Sequence, residues 1–210
     1  MRLHLLGAGG HGRELAWLAR EVHGPDLEVV FMVDDERYLT GPVHGDPVRL
    51  LAPENVEPGG AYVVALGDPA LRERAAAACE AAGLRPTTLV HPRTERSAHV
   101  VVGDGSVVAA GSVLTTDVTI GRHAHVNVGC TVSHDVVLED FATLSPGVHL
   151  AGHVHVGRGA FLGIGASVIN GRAGEPLVIG AGAVVAAGAC VTGPVAPGSI
   201  VAGVPAVPKR

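Results

Sequence analysis

The chain has 210 residues, a length typical of one or two domains. Hydrophobic residues make up 47% of it but aromatic residues only 3%, so its core has to be built mainly from Val, Ala, Leu and Gly. The net charge of −5 argues against a nucleic acid as partner.

The cysteines and the apolar segments indicate the compartment. Cys79, Cys130 and Cys190 are odd in number and widely spaced, so they predict neither a disulfide framework nor a CxxC metal motif. No run of eighteen apolar residues occurs, and the N-terminus lacks a signal-peptide pattern. We therefore expect a soluble protein in the reducing cytoplasm, with no membrane partner.

The first ninety residues alternate apolar runs with helical segments. Residues 2–6, 28–33, 61–66 and 87–90 are predicted strands, and residues 13–21 and 70–82 are predicted helices. Residues 40–60 are rich in Gly and Pro and predict a loosely specified connection. Such alternation favours a parallel sheet.

A glycine-rich turn follows the first predicted strand. The segment from Gly7 to Gly12 matches G-x-G-x-x-G, and Asp34 follows Gly12 by 22 positions, at the end of the second strand. This spacing is typical of dinucleotide sites, where glycines let the backbone approach a phosphate. Ninety residues suffice for one mononucleotide-binding half, however, and not for two. Three interpretations stay open: an NAD site, a purely structural turn, and a site for a nucleotide-linked sugar held by residues 9–12 and by Asp34 and Asp35.

The second half of the chain carries an aliphatic residue at every sixth position. This period fits neither a helix nor a free strand, and it is typical of a solenoid with flat sides and tight corners. Three sides make a triangular coil of eighteen residues, in which small residues four places later fill a second inward position. The rhythm slips between residues 171 and 179, which predicts a loop that leaves the coil. The aliphatic series runs Val102, Val108, Leu114, Ile120, Val126, Val132, Leu138, Leu144, Leu150, Val156, Leu162 and Val168, then Ile179, Val185 and Val191.

The two modules together resemble a known family. A small Rossmann-like module that opens with GAGGHGRE, a six-residue solenoid and a closing GVPA at residues 203–206 resemble the sialic acid O-acetyltransferase NeuD family. That family includes N-acetyltransferases of UDP- or GDP-linked amino sugars, of the bacillosamine and perosamine type. The resemblance implies an α/β Rossmann-like half domain at residues 1–92 and a left-handed parallel β-helix at residues 93–210. It also implies acetyl-CoA as co-substrate, and a homotrimer with the active site between subunits.

His134 is the candidate general base among twelve histidines. An imidazole suits proton removal from an attacking amine, and a neighbouring carboxylate can orient it. His134 lies at an off-beat position, pointing away from the packed interior, and Asp135 follows it directly. The family places its base in a similar stretch after an asparagine, which matches Asn127. Because Asp has a shorter arm than the family's usual Glu, Glu139 or Asp140 could instead orient the ring.

The resemblance assigns further roles by position. It implies that a nucleotide sugar contacts the N-terminal module and Asn127, and that acetyl-CoA lies along the solenoid. The predicted substrate residues are Gly9, Gly10, His11, Asp34, Asp35, Gly67 and Asn127, and the predicted cofactor residues are Thr143, Gly163, Ile164 and Ala181.

The sequence also allows functions other than N-acetylation. The pairs His123-x-His125 and His153-x-His155 could each offer two metal ligands, but no third ligand is evident, so no metal is expected. O-acetylation of a sugar hydroxyl on the same scaffold is the main alternative. A non-catalytic, nucleotide-binding trimeric scaffold and an NAD-dependent oxidoreductase are further ones.

Overall fold

The N-terminal module is a parallel sheet flanked by helices, as the alternation predicts. The structure is a computed structural model that describes residues 1–209, so the last residue of the predicted second domain lies outside it. Its sheet has the order β3-β2-β1-β4-β5, and all neighbours are parallel. The elements are β1 Arg2–Leu6, α1 Gly10–His23, β2 Glu28–Val33, β3 Val48–Leu50, β4 Ala61–Val64, α2 Pro69–Ala81 and β5 Arg85–Pro86, with 3₁₀ turns at Glu36–Tyr38 and Pro53–Asn55.

Strand β3 lies within the segment that the sequence left loosely specified. It has three residues, none fully buried, and it pairs with the end of β2. A strand this short carries no visible hydrophobic period, which is why the pattern did not predict it.

The second half is a triangular parallel β-helix. Strands one coil apart pair with a register of eighteen residues, as in Val113 with Thr131 and Thr119 with Val137. The predicted coil length is therefore confirmed. The docking face, named for its contact with the N-terminal module, contains Leu89–Val90, Val107–Val108, His125–Val126, Thr143–Leu144, Phe161–Leu162, Val184–Val185, Ile200–Ala202 and Val207–Pro208.

Two further faces complete the triangle. The second face follows the docking face in each coil, and the third face precedes it. The second face contains Glu95–Arg96, Val113–Leu114, Thr131–Val132, His149–Leu150, Ser167–Val168 and Cys190–Val191, and the third contains Val101–Val102, Thr119–Ile120, Val137–Leu138, Val154–Val156 and Leu177–Ile179.

The six-residue series forms the solenoid core. Every aliphatic residue of the series from Val108 to Val191 is buried, and Val102 at the first coil is partly exposed. The small residues four places later, from Ser106 to Ala189, are buried as well. Branched side chains therefore stack on themselves from coil to coil, and each coil covers the apolar face of the next.

The corners require left-handed backbone at a fixed position. From residue 105 to residue 165, every sixth residue has a positive φ, and most of these residues are glycine. The exceptions are Asp117, His123, Asp135, Phe141 and His153. Residues other than glycine rarely adopt this backbone conformation, and where they do they are often part of a functional site.

The N-terminal module covers the docking face. Helix α1 packs on Val107 and Ala109, and Leu89–Val90 already pairs with Val107–Val108 in the solenoid sheet. Residues 89 and 90 therefore belong to the solenoid sheet. The domain boundary at residue 92 stays a prediction. The edge between the second and third faces, which we call the His134 edge, lies opposite the docking face.

Candidate functional site

A cavity of about 780 Å³ opens at the carboxyl ends of β1, β2 and β4. Ligands of parallel α/β sheets commonly bind at this end of the strands. Five predicted substrate residues line the cavity together: Gly9, Gly10, His11, Asp34 and Gly67.

The glycines of the turn have two separate roles. A Cβ on Gly12 would overlap the carbonyl oxygen of Gly7, and one on Gly7 would lie 2.8 Å from the carbonyl oxygen of Ala65, so these two glycines permit close packing. A Cβ on Gly9 would meet nothing within 4 Å, and one on Gly10 only the end of the Arg13 side chain. Packing therefore explains Gly7 and Gly12, while Gly9 and Gly10 leave open backbone facing the cavity, as a ligand phosphate needs.

The two acidic residues after β2 are placed differently. Asp34 lines the cavity, whereas the Asp35 carboxylate caps the following 3₁₀ turn by accepting from the Arg37 backbone N–H at 2.9 Å. Arg37 stacks on the ring of Tyr38, 4.7 Å from its centroid, and both line the cavity. Sequence reasoning missed Arg37, Tyr38 and Arg74, because charged and aromatic residues in a loop have no period that would single them out.

His11 connects this cavity to the solenoid. Its Nδ1 lies 3.0 Å from a Glu14 carboxylate oxygen, and its Nε2 lies 3.2 Å from Nδ1 of the buried His125. A second, smaller cavity of about 130 Å³ lies beside it and is lined by both His11 and Asn127. The Asn127 amide donates to the Leu144 carbonyl at 2.8 Å. Asn127 thus lies near the nucleotide module and not on the edge that carries His134.

Arg72 fastens α2 to the solenoid and was not singled out from the sequence. Within the part of the chain that the structure describes, no carboxylate lies within ion-pair distance of this fully buried guanidinium. Its donors reach carbonyls on both sides of the interface between the modules. Nε donates to the His123 carbonyl at 2.8 Å and Nη2 to the Phe141 carbonyl at 2.6 Å, while Nη1 donates to the Leu66 carbonyl at 2.8 Å. Burial lowers the pKa of Arg72 to about 10.

His134 and Asp135 form an exposed pair on the His134 edge. The His134 Nδ1 lies 2.8 Å from Asp135 Oδ2, and 54% of the His134 side chain is exposed. Gly152, one coil later, lies against the ring: a Cβ there would be 2.5 Å from Cε1 and 2.6 Å from Nε2 of His134. The arrangement presents an oriented imidazole to solvent, which is what a general base needs.

The alternative carboxylates have other partners. Glu139 accepts from the His155 ring at 2.8 Å and from the Arg158 backbone N–H at 2.7 Å, and this His155 contact is the main cause of the lowered pKa of Glu139. Asp140 pairs with Arg158 at 3.0 Å. In the structure, Asp135 is therefore the carboxylate that orients His134.

A second imidazole approaches the same carboxylate. His153 Nε2 lies 3.7 Å from Asp135 Oδ2, and the His134 and His153 rings meet edge to face with centroids 5.1 Å apart. His153 lies in the left-handed backbone region, with φ of 55°. The sequence offered one signal for this contact, namely the eighteen-residue offset between Asp135 and His153.

One chain does not bring the four predicted cofactor residues together. Thr143 is only 2% exposed, and its hydroxyl accepts a hydrogen bond from Arg72 Nη2 at 2.7 Å. Ile164 is 63% exposed on the corner after the docking face, next to Gly163, whereas Ala181 lies on the corner before that face. Ile164 and Ala181 thus lie on different corners of the coil, and these cofactor contacts stay predictions.

Two of the three cysteines, Cys79 and Cys130, are buried. Burial raises the pKa of Cys130 to about 11 and that of Cys79 to about 12. Thiols held in the neutral form within a core act as small apolar side chains.

The fold and the exposed His134–Asp135 pair define the chain as a hexapeptide-repeat acyltransferase with a Rossmann-like N-terminal module. Residues 2–78 match the family model of the PglD N-terminal domain. The chain is 34% identical over 188 residues to a GDP-perosamine N-acetyltransferase of Escherichia coli O157:H7, a match that covers 85% of this chain and 82% of the relative. The chain therefore belongs to the family of nucleotide-sugar N-acetyltransferases that includes that enzyme.

Solved structures agree with this assignment. A histidine-to-asparagine variant of the perosamine N-acetyltransferase of Caulobacter crescentus, in complex with CoA and GDP-perosamine, has a TM-score of 0.90 and 32% identity, and the match covers 100% of this chain and 97% of that one. The acetyltransferase domain of PglB from Neisseria gonorrhoeae, in complex with acetyl coenzyme A, has a TM-score of 0.75 and 32% identity over 99% of this chain and 98% of that one. The predicted family and the left-handed β-helix are thereby confirmed. Within residues 1–209, no helix combines the length and apolar character that a membrane span requires.

Proposed function

We propose that this enzyme transfers the acetyl group of acetyl-CoA to the amine of a nucleotide-linked amino sugar, with a GDP-linked 4-amino sugar such as GDP-perosamine as the first candidate. The observation that carries the proposal is the exposed His134 ring held by Asp135 at 2.8 Å. The relatives that match across the chain are N-acetyltransferases, which favours an amine over the hydroxyl that the sequence left open.

The reaction needs one proton transfer at His134. The Nδ1–H group of His134 donates a hydrogen bond to Asp135, and this holds the proton on Nδ1. Nε2 therefore keeps a free lone pair. As the amine attacks the thioester carbonyl, Nε2 takes its proton, and Asp135 stabilises the imidazolium that results. Collapse of the tetrahedral intermediate releases CoA as a thiolate, which the imidazolium can reprotonate.

The first experiment is His134→Ala. Loss of a general base lowers turnover by about 10²–10⁴-fold. Acetyl-CoA binding, measured by calorimetry, should stay close to that of the wild type. His149→Ala is a matched control, because this exposed histidine lies on the second face one coil away and, within residues 1–209, its ring hydrogen-bonds only Thr131. Turnover of His134→Ala within threefold of wild type would exclude His134 as the base.

We further propose that the active site forms between two copies of the chain, within a homotrimer. The nucleotide cavity belongs to the module on the docking face, and His134 lies on the opposite edge of the same prism. A sugar held by one chain is therefore out of reach of that chain's own His134. A second copy that presents its His134 edge would complete the site.

Subunit complementation tests this arrangement. Co-expression of a His134→Ala chain with a chain altered in the cavity, Asp34→Ala, should give mixed oligomers with measurable activity, although each variant alone is weak. Light scattering during size exclusion should give three times the chain mass. Inactive mixed oligomers, with both variants folded, would contradict an active site shared between chains.

The cytoplasm is the compartment that we propose for the reaction. Cys79, Cys130 and Cys190 are all unpaired, and Cys79 and Cys130 are buried. Free thiols of this kind are usual where thiols are kept reduced.

A further inference from the structure

Three metal-ligand side chains meet on the His134 edge. Because the coils repeat every eighteen residues, Asp135 and His153 occupy the same corner one coil apart, and His134 flanks Asp135. The sequence pairs His153 with His155 on one strand, where no third ligand is evident. Stacking of the coils instead joins His153 to His134 and Asp135.

The donor atoms have the spacing of a metal site. Asp135 Oδ2 lies 2.8 Å from His134 Nδ1 and 3.7 Å from His153 Nε2, and one ligand atom of each residue lies within 4.8 Å of the other two. With Zn–N distances of about 2.0–2.1 Å, ligand atoms of a tetrahedral site are about 3.3 Å apart. Small rotations of two partly exposed rings bring all three atoms to that spacing.

Two further features distinguish this cluster. Among residues 1–209, it is the only group of three His, Cys, Asp or Glu residues whose ligand atoms lie this close together. His155 with Glu139, and His11 with Glu14, are also histidine–carboxylate pairs, but within these residues neither belongs to a group of three ligand atoms at that spacing. His125 does approach His11, but at Nε2, whereas Glu14 contacts Nδ1. The His153 ring has no hydrogen bond within the described residues, so it is available to a metal.

We propose that His134, Asp135 and His153 bind a divalent transition-metal ion of the zinc class, and that occupancy of this site stops acetyl transfer. Two imidazoles and a carboxylate suit such ions, and water would fill the remaining positions. The inhibition rests on the proposed function, because it requires His134 to act as the base. Metal binding itself does not depend on that function.

The chemistry of inhibition follows from the ligand atoms. A metal at Nδ1 needs the other neutral tautomer of His134, so the ring proton moves from Nδ1 to Nε2 by way of solvent. Asp135 then bonds the metal and no longer the ring, so it cannot stabilise an imidazolium. With the proton on Nε2, the ring has no lone pair left to take a proton from the amine.

Direct binding is measured first, by optical titration with Co²⁺ and by calorimetry with Zn²⁺. His153→Asn removes one ligand and keeps the corner, because Asn tolerates left-handed backbone. We expect this variant to bind Zn²⁺ at least tenfold more weakly than wild type. His155→Asn is the matched control and should bind as wild type does. Equal binding by wild type and His153→Asn would overturn the metal site.

Inhibition is measured second, as acetyl transfer against free Zn²⁺. We expect micromolar to millimolar Zn²⁺ to inhibit the wild type and EDTA to restore activity. Because His153 lies against the His134 ring, the inhibition of His153→Asn is expressed relative to its own metal-free turnover, and it should need at least tenfold more Zn²⁺. If binding depends on His153 but bound metal leaves turnover unchanged, then the inhibition and the base role of His134 fail while the metal site stands. If binding does not depend on His153, the metal site fails and the proposed function is untouched.

Discussion

Asp135 and His153 carry side chains in a backbone conformation that most other corners of the solenoid leave to glycine. Asp and His adopt left-handed backbone more readily than most residues, but still at a cost. Packing does not explain them, since both side chains are partly exposed. At these two positions the side chains supply a carboxylate and an imidazole beside His134.

Gly152 lies against the His134 ring, and a methyl group at this position should displace the ring. In Gly152→Ala the new Cβ would lie 2.5 Å from His134 Cε1, so the ring has to rotate away and lose its bond to Asp135. We expect turnover to fall at least tenfold while the melting temperature changes little, because the displaced ring can turn into solvent.

Gly193→Ala is the control for this prediction, since its Cβ would meet nothing within 4 Å. Both variants are compared by steady-state kinetics and thermal unfolding. Wild-type turnover in Gly152→Ala would show that the ring position does not matter.

Helix α2 joins the two modules through Arg72. Its amphipathic character is weak, since it buries mainly alanines, Cys79 and this one arginine. The guanidinium gives the helix its specific contacts with the solenoid. It also ties Leu66 and Gly67, which line the nucleotide cavity, to Phe141 and Thr143 on the solenoid.

Arg72→Met should strongly destabilise the protein. Several buried carbonyls lose their donor together, and each unsatisfied group costs about 1–3 kcal/mol. We expect the free energy of unfolding to fall by at least about 3 kcal/mol in urea titrations. Arg74→Met, on the exposed side of the same helix, should change it by less than about 0.5 kcal/mol. A small effect for Arg72→Met would mean that the carbonyls find other donors.

Two histidines, His123 and His125, are buried in the interface between the two modules. His123 stacks between Tyr62 and Phe141, and burial is the main cause of its pKa being lowered to about 4. Burial also lowers the pKa of His125 well below its usual value, with a smaller contribution from Arg72. Both rings become charged more readily in the unfolded chain than in the folded one.

Stability should therefore fall in mild acid. The unfolded state binds more protons below the ordinary histidine pKa of 6.5, so stability is intact above that pH and is lost between about pH 6.5 and 4. Each such histidine contributes a slope of up to about 1.4 kcal/mol per pH unit. The measurement is the urea midpoint against pH.

The variant for this test is His123→Asn, which should flatten the slope. The neighbours that face His123, namely Glu80, Arg122 and Asp140, stay in place. His44→Asn is the matched control, because His44 also has left-handed backbone but is exposed. An unchanged slope in His123→Asn would assign the acid sensitivity to other groups.

The six-residue repeat, the glycine-rich turn after β1 and the candidate pair of His134 and Asp135 could be read from the sequence alone. These features are local or strictly periodic: an aliphatic residue every six positions can pack only in a coil, and a glycine-rich turn after a strand opens a phosphate site. Only the tertiary structure decided which residues share an edge. Stacking places His153 and Gly152 beside His134, and docking buries Arg72 and Thr143 at the interface while it puts the nucleotide cavity on the far side of the prism from His134. These are contacts between distant segments, set by how coils and modules pack, and no local pattern encodes them.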